Sequence, residues 1–320
     1  MQSFLKAAYA IVIGAGSAVM ASGAQDYPAK PVRFLTGSVG SGSDIVARVL
    51  AQRLTERWGR QVVIDNRSGI LGAEAVANAA PDGYTLLMGQ LATHATAAGF
   101  YKKLAYDPVK DFAPLTLVAT GPLCLVAHPS LPASNLREFI EYARRHPGTV
   151  NYAATGGASN SRLTMLLFSG VGGIDMLYVP YKSMGATITA ILGREAQVSF
   201  PTVLASLPHI NTGRLKPYAV TSGNRFPGAP AIPTMAEAGL PGVESTSWWG
   251  TFAPAKTSTL LVARINRDMI EILQSPETRK LMLVQGMEPA PGTPDEFAGF
   301  IKSEIAKWGK VIKDSGITPE

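Results

Sequence analysis

The sequence predicts an α/β protein with two lobes, each a doubly wound sheet with helices on both faces. From Tyr27 onward, short β-type runs alternate with amphipathic helical segments, a pattern typical of mostly parallel sheets. The chain has 320 residues, which is beyond the ~250–300 at which a single core usually stops growing. Alternation and length together therefore indicate two α/β domains.

The first series of elements occupies the N-terminal third of the chain. β-type runs lie at 32–35, 61–65 and 85–88. Apolar residues recur at helical spacing from 45 to 58, and a shorter helical pattern covers 73–79. A strand–helix–strand order of this kind predicts parallel pairing of the strands.

The second series begins near Leu125. Ser134 is the predicted N-cap of its first helix, and further helices are predicted after 155–161 and at 186–192. The predicted strands of this series lie at 150–154, 178–181, 196–200 and 216–221.

Two helix starts in the last third of the chain are well marked. Ser275-Pro276 combines an N-cap residue with Pro at the first helical position, and 293–296 forms a capping box. Because the second series looks complete without these helices, we expect them to pack on the first lobe. The chain then crosses between lobes near 121–127 and again near 220–225, which makes a hinge. The predicted lobes are 25–124 with 223–320, and 125–222.

The first 24 residues have the composition of a cleaved secretory signal peptide. Lys6 precedes a run of small and apolar residues from 7 to 20, and Ala24 is the predicted cleavage point. The run 11–18 imitates a dinucleotide-binding fingerprint, but no strand with an acidic end follows about 20 residues later. The protein is therefore predicted to be secreted.

Composition and motif content argue against several function classes. No basic run with interleaved aromatic residues occurs, so nucleic acid is not an expected partner. The four histidines are scattered without metal-ligand spacing, and the sequence has no G-x-S-x-G elbow and no P-loop. Cys124 is the only cysteine of the sequence and is interpreted as a buried apolar residue. We predict no metal, no cofactor and no enzymatic activity.

Two stretches of the sequence share one design. A strand at 32–35 runs into the Gly/Ser-rich loop 36–44, and a strand at 150–154 runs into the polar loop 155–161; a helical pattern follows each loop. A helix N-terminus presents unpaired backbone N–H groups and the positive end of the helix dipole. Each junction is therefore a potential anion site without a charged side chain, and the pair suggests a clamp on a small acid.

The candidate ligand contacts lie at these junctions and in the loop after the strand 85–88, where ligands bind open α/β sheets. They are Gly40, Ser41, Gly42, Ser43, Gln90, Thr93, Thr155, Gly156, Ser159, Asn160, Ser161 and Arg162. The alternatives are N-capping for the hydroxyls, turn geometry for the glycines and a solvated helix position for Arg162. Asp44 is interpreted as a helix-start residue. Trp248 and Trp249 are predicted core or hinge residues, with a pocket wall as the alternative.

A series of short motifs runs along almost the whole mature chain. It comprises Tyr-Pro-Ala-Lys-Pro-Val at 27–32, Gly-Ser-Gly-Ser-Asp-Ile-Val-Ala-Arg at 40–48, Val-Ile-Asp-Asn-Arg at 63–67, Gly-Ala-Glu-Ala-Val-Ala at 72–77, Ala-Pro-Asp-Gly-Tyr-Thr-Leu at 80–86, Tyr-Lys-Lys-Leu-Ala-Tyr-Asp-Pro-Val-Lys-Asp-Phe-Ala-Pro at 101–114, Val-Pro-Tyr-Lys at 179–182, Leu-Pro-His-Ile at 207–210 and Pro-Thr-Met-Ala-Glu-Ala-Gly-Leu-Pro-Gly at 233–242. In number and order these motifs resemble the substrate-binding proteins of tripartite tricarboxylate transporters, the Bug-type periplasmic receptors.

This resemblance implies a type II periplasmic binding protein, in which two α/β lobes joined by a double-crossing hinge close on a ligand. It implies a small carboxylate, such as a dicarboxylate, a tricarboxylate or an aromatic acid, held by backbone amides, small hydroxyls and water. It further implies a periplasmic location and delivery of the ligand to membrane transporter subunits. We expect the protein to be a monomer.

The sequence departs from the family pattern at three sites. Thr36-Gly37 replaces the usual Pro-Phe, Arg162 stands where a His is usual, and Pro201-Thr202 replaces Asp-Asn. The third departure argues against an amino-acid ligand, and Arg162 favours a second carboxylate on the ligand. The sequence leaves open which acid is bound. It also leaves open two other functions, a secreted α/β hydrolase and a sensory receptor that docks on a signalling partner.

Overall fold

The structure is a computed structural model that describes residues 27–67, 69–157 and 159–316. The predicted signal peptide at 1–24 lies outside the described residues. The strands are β1 (Val32–Thr36), β2 (Val62–Asn66), β3 (Thr85–Gln90), β4 (Phe112–Pro122), β5 (Cys124–Ala127), β6 (Asn151–Thr155), β7 (Leu177–Tyr181), β8 (Val198–Ser199), β9 (Lys216–Val220), β10 (Thr246–Pro254) and β11 (Glu288–Pro289). The helices are α1 (Gly42–Trp58), α2 (Gly69–Ala77), α3 (Leu91–His94), α4 (Ala97–Phe100), α5 (Leu136–Arg145), α6 (Asn160–Gly172), α7 (Met184–Leu192), α8 (Val203–Asn211), α9 (Thr259–Gln274), α10 (Pro276–Val284) and α11 (Pro294–Asp314). Within these described ranges, no helix is both long and apolar enough to span a bilayer.

The first sheet has six strands in the order β11-β4-β10-β3-β1-β2. Strand β1 pairs in parallel with β2 and β3, because helical crossovers connect these strands. Strand β10 returns from the C-terminal part of the chain and lies antiparallel between β3 and β4. The sheet is therefore mixed rather than mostly parallel. Strand β4 was not predicted, since Pro114, Gly121 and Pro122 interrupt its β-type pattern.

The second sheet has five strands in the order β7-β6-β8-β5-β9. Strand β6 is parallel to β7 and β8, whereas β5 is antiparallel to β8 and β9. The four predicted strands of this region overlap β6, β7, β8 and β9. Helix α5 begins one residue later than predicted, because Asn135 rather than Ser134 is the N-cap and accepts a hydrogen bond from the Glu138 amide.

Apolar side chains cover both faces of each sheet. In β1, Phe34 packs with residues of α1 and α9, while the next residue, Leu35, packs with residues of α2 and α11. In β5, Leu125 packs with α5 and Cys124 with α7. Successive strand residues point to opposite faces, so both faces are buried and each sheet is doubly wound. Burial raises the pKa of the Cys124 thiol, which fits its predicted apolar role.

The chain passes between the two sheets at two places. Strand β4 ends at Pro122 and β5 begins at Cys124, while β9 ends at Val220 and β10 begins at Thr246. The segment before β10 packs on the second sheet, since Phe226, Met235, Leu240 and Val243 belong to its apolar clusters. This packing favours a second crossing near 245 instead of the predicted 220–225.

Thr221, which follows β9, is hydrogen-bonded to both crossing segments. The Thr221 amide donates to the Leu123 carbonyl at 3.0 Å, and the Ser245 amide donates to the Thr221 carbonyl at 3.0 Å. The Leu123 amide also donates to the Thr221 hydroxyl at 3.0 Å. Thr221 therefore connects the two crossings at the junction of the two sheets.

Candidate ligand-binding cleft

The first strand–loop–helix junction lies at the N-terminus of α1. Ser41 is the N-cap, and its Oγ accepts a hydrogen bond from the Asp44 amide at 3.3 Å. The amides of Gly42 and Ser43 donate to no residue in the described part of the chain, as expected for a first helical turn. Gly42 lies against the indole of Trp249, where an added Cβ would be 2.5 Å from Trp249 Cζ2. Glycine is therefore required at position 42 for packing.

Asp44 is buried beneath this turn. Its carboxylate accepts hydrogen bonds from the Gly40 amide at 2.9 Å, Arg48 Nε at 3.0 Å and Asn66 Nδ2 at 2.7 Å. Burial acts to raise the pKa of the Asp44 carboxyl, but these hydrogen bonds outweigh burial and hold the pKa below its usual value. Asp44 therefore carries a negative charge at the helix start.

The second junction lies at the N-terminus of α6. Ser159 is the N-cap; its Oγ accepts from the Arg162 amide at 3.3 Å and donates to the Thr155 carbonyl at 2.7 Å. The amides of Asn160 and Ser161 make no hydrogen bond to any described residue. This end of α6 therefore presents unpaired N–H groups, as the sequence predicts.

The side chain of Asn160 connects this junction to the crossing segment. Its Nδ2 donates to Ser247 Oγ at 3.0 Å, and its Oδ1 accepts from Ser245 Oγ at 3.0 Å. Thr164 Oγ1 lies 2.6 Å from Ser245 Oγ and extends the same network. The N-terminus of α6 is therefore attached to the strand that passes into the first sheet.

A small cavity, the inner cavity, lies where β3, β10 and α6 meet. Its volume is about 180 Å³. It is lined by Gln90, Leu91, Ala92, Ser159, Asn160, Ser247, Trp248 and Trp249. Trp249 pairs with Gln90 across β10 and β3, so this cavity is at the carboxyl end of a parallel strand, where α/β sheets bind ligands.

A larger cavity, the outer cavity, adjoins the inner one. Its volume is about 540 Å³, and it shares Ala92 and Ser159 with the inner cavity. It is lined by Gly69, Ile70, Leu71, Ala92, Thr93, Tyr101, Gly156, Gly157 and Ser159. The two cavities together form a cleft between elements of the first sheet and the N-terminus of α6.

The chemistry of this cleft is that of neutral donors and acceptors. No charged side chain is among the described residues that line either cavity. Over the described ranges, no group of three or more His, Cys, Asp or Glu side chains could hold a metal ion. The arrangement can solvate an anion with amides and hydroxyls, and the described residues lining the two cavities include no carboxyl, imidazole, thiol or amino side chain.

Of the predicted contacts, five line the cleft: Gln90, Thr93, Gly156, Ser159 and Asn160. The other seven do not line either cavity: Gly40, Ser41, Gly42, Ser43, Thr155, Ser161 and Arg162. Capping and burial explain three of these positions, since Ser41 caps α1 and the side chains of Ser43 and Ser161 are buried. Gly42 reaches the cleft indirectly, through its contact with Trp249.

Arg162 packs on the second lobe instead of facing either cavity. Its guanidinium lies 4.6 Å from the centroid of the Tyr178 ring, and Nη1 donates to the Gly157 carbonyl at 3.4 Å. Its buried Nε has no partner among the described residues. The contact of Arg162 with a carboxylate therefore stays a prediction.

The hydroxyl of Thr93 is engaged within its own turn. It accepts from the Gln90 amide at 3.1 Å, donates to the Gln90 carbonyl and lies 2.8 Å from His94 Nδ1. His94 is fully buried and stacks on Phe252, and burial lowers its pKa to about 3. His94 is therefore a neutral core residue.

Several cleft residues were not predicted as contacts. Ser247 and Trp249 reach the inner cavity because β10 inserts beside β3, and the only sequence signal was the alternative that Trp249 forms a pocket wall. Leu71 and Tyr101 line the outer cavity, and their local sequence carries no signal for that position.

The comparisons with known proteins agree with this geometry. A family model described as the tripartite tricarboxylate transporter family receptor matches residues 46–317. The chain belongs to this family. Protein BugT of Bordetella pertussis is 34% identical over 298 residues, which are 92% of this chain and 91% of BugT.

Solved structures of this receptor family have the same fold. R. palustris Rpa4515 with adipate has a TM-score of 0.80 and 34% identity, covering 92% of this chain and 100% of that chain. MatC (Rpa3494) from Rhodopseudomonas palustris with bound malate has a TM-score of 0.74 and 31% identity, covering 89% and 100%. The predicted family, the two-lobed α/β fold and the function as a solute receptor are therefore confirmed.

Proposed function

We propose that the protein captures a small carboxylate in the cleft and delivers it to the membrane subunits of a tripartite tricarboxylate-type transporter. The observation that carries this proposal is the N-terminus of α6, where Ser159 borders both cavities and the amides of Asn160 and Ser161 are unpaired. Carboxylates are favoured at such a helix end. The adipate and malate bound by the two solved relatives support the same ligand class.

Capture requires the two lobes to close on the ligand. We place the lobe boundaries at 27–122 with 246–316, and at 124–244, because the segment before β10 packs on the second sheet. Rotation about the crossings would narrow the cleft beside the N-terminus of α6 and exclude water from it. Each charge-assisted hydrogen bond contributes ~1.5–3 kcal/mol, so several are needed to offset desolvation of the carboxylate.

In this proposal the protein is secreted to the periplasm after removal of residues 1–24 and acts as a monomer. It needs no cofactor or metal and performs no catalysis in this proposal, which is supported by a described cleft lining without carboxyl, imidazole, thiol or amino side chains. Binding and closure alone account for the work of a receptor. The two alternatives, a hydrolase and a sensory receptor, require turnover or a different protein partner.

The first experiment tests ligand binding and turnover together. The mature protein is titrated by calorimetry with mono-, di- and tricarboxylates, and its thermal unfolding is followed with each. At a hundredfold excess over Kd a ligand should stabilise the fold by ~2.7 kcal/mol, and mass spectrometry should recover it unchanged. Failure of every carboxylate to bind would overturn the proposal, and chemical conversion of the bound acid would favour the hydrolase.

A second experiment identifies the protein partner. The ligand-loaded and ligand-free forms are immobilised and exposed to detergent-solubilised membranes of the source organism. Recovery of transporter subunits by the loaded form alone supports delivery to a transporter. Recovery of a signalling protein instead would favour the sensory receptor.

A further inference from the structure

Two exposed large apolar side chains, Leu71 and Tyr101, line the outer cavity, and each also borders a neighbouring surface pocket. Leu71 of α2 is 60% exposed and Tyr101, which follows α4, is 44% exposed. Both line the outer cavity together with Ile70 and Ala92. Single exposed apolar side chains are ordinary on a protein surface, but here they share one concave space. A ligand that displaces water from this surface gains hydrophobic free energy.

The charged side chains near the outer cavity do not line it. Arg67 and Glu74 border a neighbouring pocket on the other side of Leu71. Arg67 lies 3.3 Å from Asp65, and Arg162 stacks on Tyr178. Lys102 and Lys103 follow Tyr101 in the chain but are not among the lining residues. A ligand body in the outer cavity would therefore be surrounded by apolar side chains, glycines and hydroxyls.

We propose that the ligand is a carboxylate with an apolar body of several carbon atoms, with its head in the inner cavity and its body in the outer cavity. This inference rests on the proposed function, from which it takes the carboxylate head. The inner cavity of about 180 Å³ supplies the polar groups, and the outer cavity of about 540 Å³ supplies the apolar surface. A compact hydroxylated acid such as citrate would leave the apolar lining of the outer cavity in contact with water and would place extra charge beside it.

The ligand series that tests this inference keeps one carboxylate and varies the body. Calorimetry compares acetate, butyrate, hexanoate and phenylacetate with malate and citrate. Affinity should rise about fourfold for each methylene buried in the outer cavity, and hexanoate should bind more tightly than citrate. Tighter binding of citrate or malate than of hexanoate, with no dependence on chain length, would overturn the inference.

Gly156→Val tests the location of the apolar body. Gly156 lines the outer cavity, and an added Cβ would meet no atom within 4 Å, so the valine should occupy ligand space without disturbing the fold. The affinity for hexanoate should fall about tenfold, and the affinity for acetate should fall much less. Gly170→Val is the matched control, since Gly170 of α6 also faces open space and lines neither cavity.

Tyr101→Ser tests the apolar wall from the opposite side. The substitution should lower the affinity for hexanoate several-fold and lower the affinity for acetate by less. Leu260→Ser is its control, because Leu260 is 75% exposed and lies outside both cavities.

Absence of binding by every acid would overturn the proposed function itself. Binding that depends neither on chain length nor on Gly156→Val would overturn only the present inference.

Discussion

The two strand–loop–helix junctions look alike in sequence but are anchored differently. At the first, the buried carboxylate of Asp44 accepts from the Gly40 amide and from Asn66 of β2, all within the region of the first sheet. At the second, the neutral amide of Asn160 bonds to Ser245 and Ser247 at the crossing into β10. The first junction is therefore part of one lobe, whereas the second is attached to the hinge.

The difference in charge has a consequence for ligand binding. Asp44 places a negative charge in the first turn of α1, whereas the first turn of α6 contains no acidic residue. A carboxylate near a helix N-terminus compensates the helix dipole. In α1 the carboxylate of Asp44 already does so. We therefore expect an incoming carboxylate to bind mainly at α6, although both junctions have the sequence features of an anion site.

The largest effect is expected when the Asp44 anchor is removed. Asp44→Ala leaves the Gly40 amide, Arg48 and Asn66 without their shared acceptor, and hydrogen bonds to charged groups contribute ~1.5–3 kcal/mol each. Because Arg48 and Asn66 keep other hydrogen bonds, the free energy of unfolding should fall by about 3 kcal/mol, less than the sum of three such bonds. Urea denaturation measures this change. An unchanged unfolding midpoint would contradict the assigned anchor role.

The Asp44 carboxylate also makes the free energy of unfolding depend on pH. Because the folded-state pKa of Asp44 lies below the usual 3.8, its contribution is present above the unfolded-state pKa and is lost as the pH falls through the folded-state pKa. Unfolding free energy should therefore decline more steeply below about pH 4 in the natural protein than in Asp44→Asn. The same pH dependence of the unfolding free energy in both proteins would argue against a charged Asp44.

Asn160→Asp tests whether charge distinguishes the junctions. This near-isosteric change gives α6 the acidic first turn that α1 already has, so a ligand carboxylate should meet a like charge and lose affinity. A repulsion of about 2 kcal/mol, or roughly thirtyfold in Kd, is expected for charges several ångströms apart near a surface. Calorimetry measures the affinity, and circular dichroism checks the fold. Asp44→Asn is the reciprocal variant, and it should leave a folded protein that still binds the acid.

The smallest effects concern the two N-caps. Ser41→Ala and Ser159→Ala each remove a cap, which should lower the free energy of unfolding by ~1 kcal/mol. Only Ser159 borders the cavities, so Ser159→Ala alone should also raise the Kd of the ligand. A similar loss of affinity in Ser41→Ala would mean that the α1 junction contacts the ligand as well.

Local features of the fold were predictable because they depend on neighbours in the chain. Helix α10 begins after the N-cap Ser275, and α11 begins with a capping box between Thr293 and Glu296, both as predicted. The unpaired amides at α1 and α6 follow from the same local rules. Strand β10 was missed as an element of the first sheet, because its partners β3 and β4 are far away in sequence.

The sequence by itself determined the alternation of strands and helices, the helix caps and the two N-termini that can hold an anion. Tertiary structure decided which N-terminus borders the two cavities and which side chains surround them. The insertion of β10 between β3 and β4 brings Ser247 and Trp249 beside Gln90, and the packing of α2 and α4 brings Leu71 and Tyr101 to the outer cavity. Hydrogen bonds within one turn are set by adjacent residues, whereas these contacts depend on pairing and packing between distant segments.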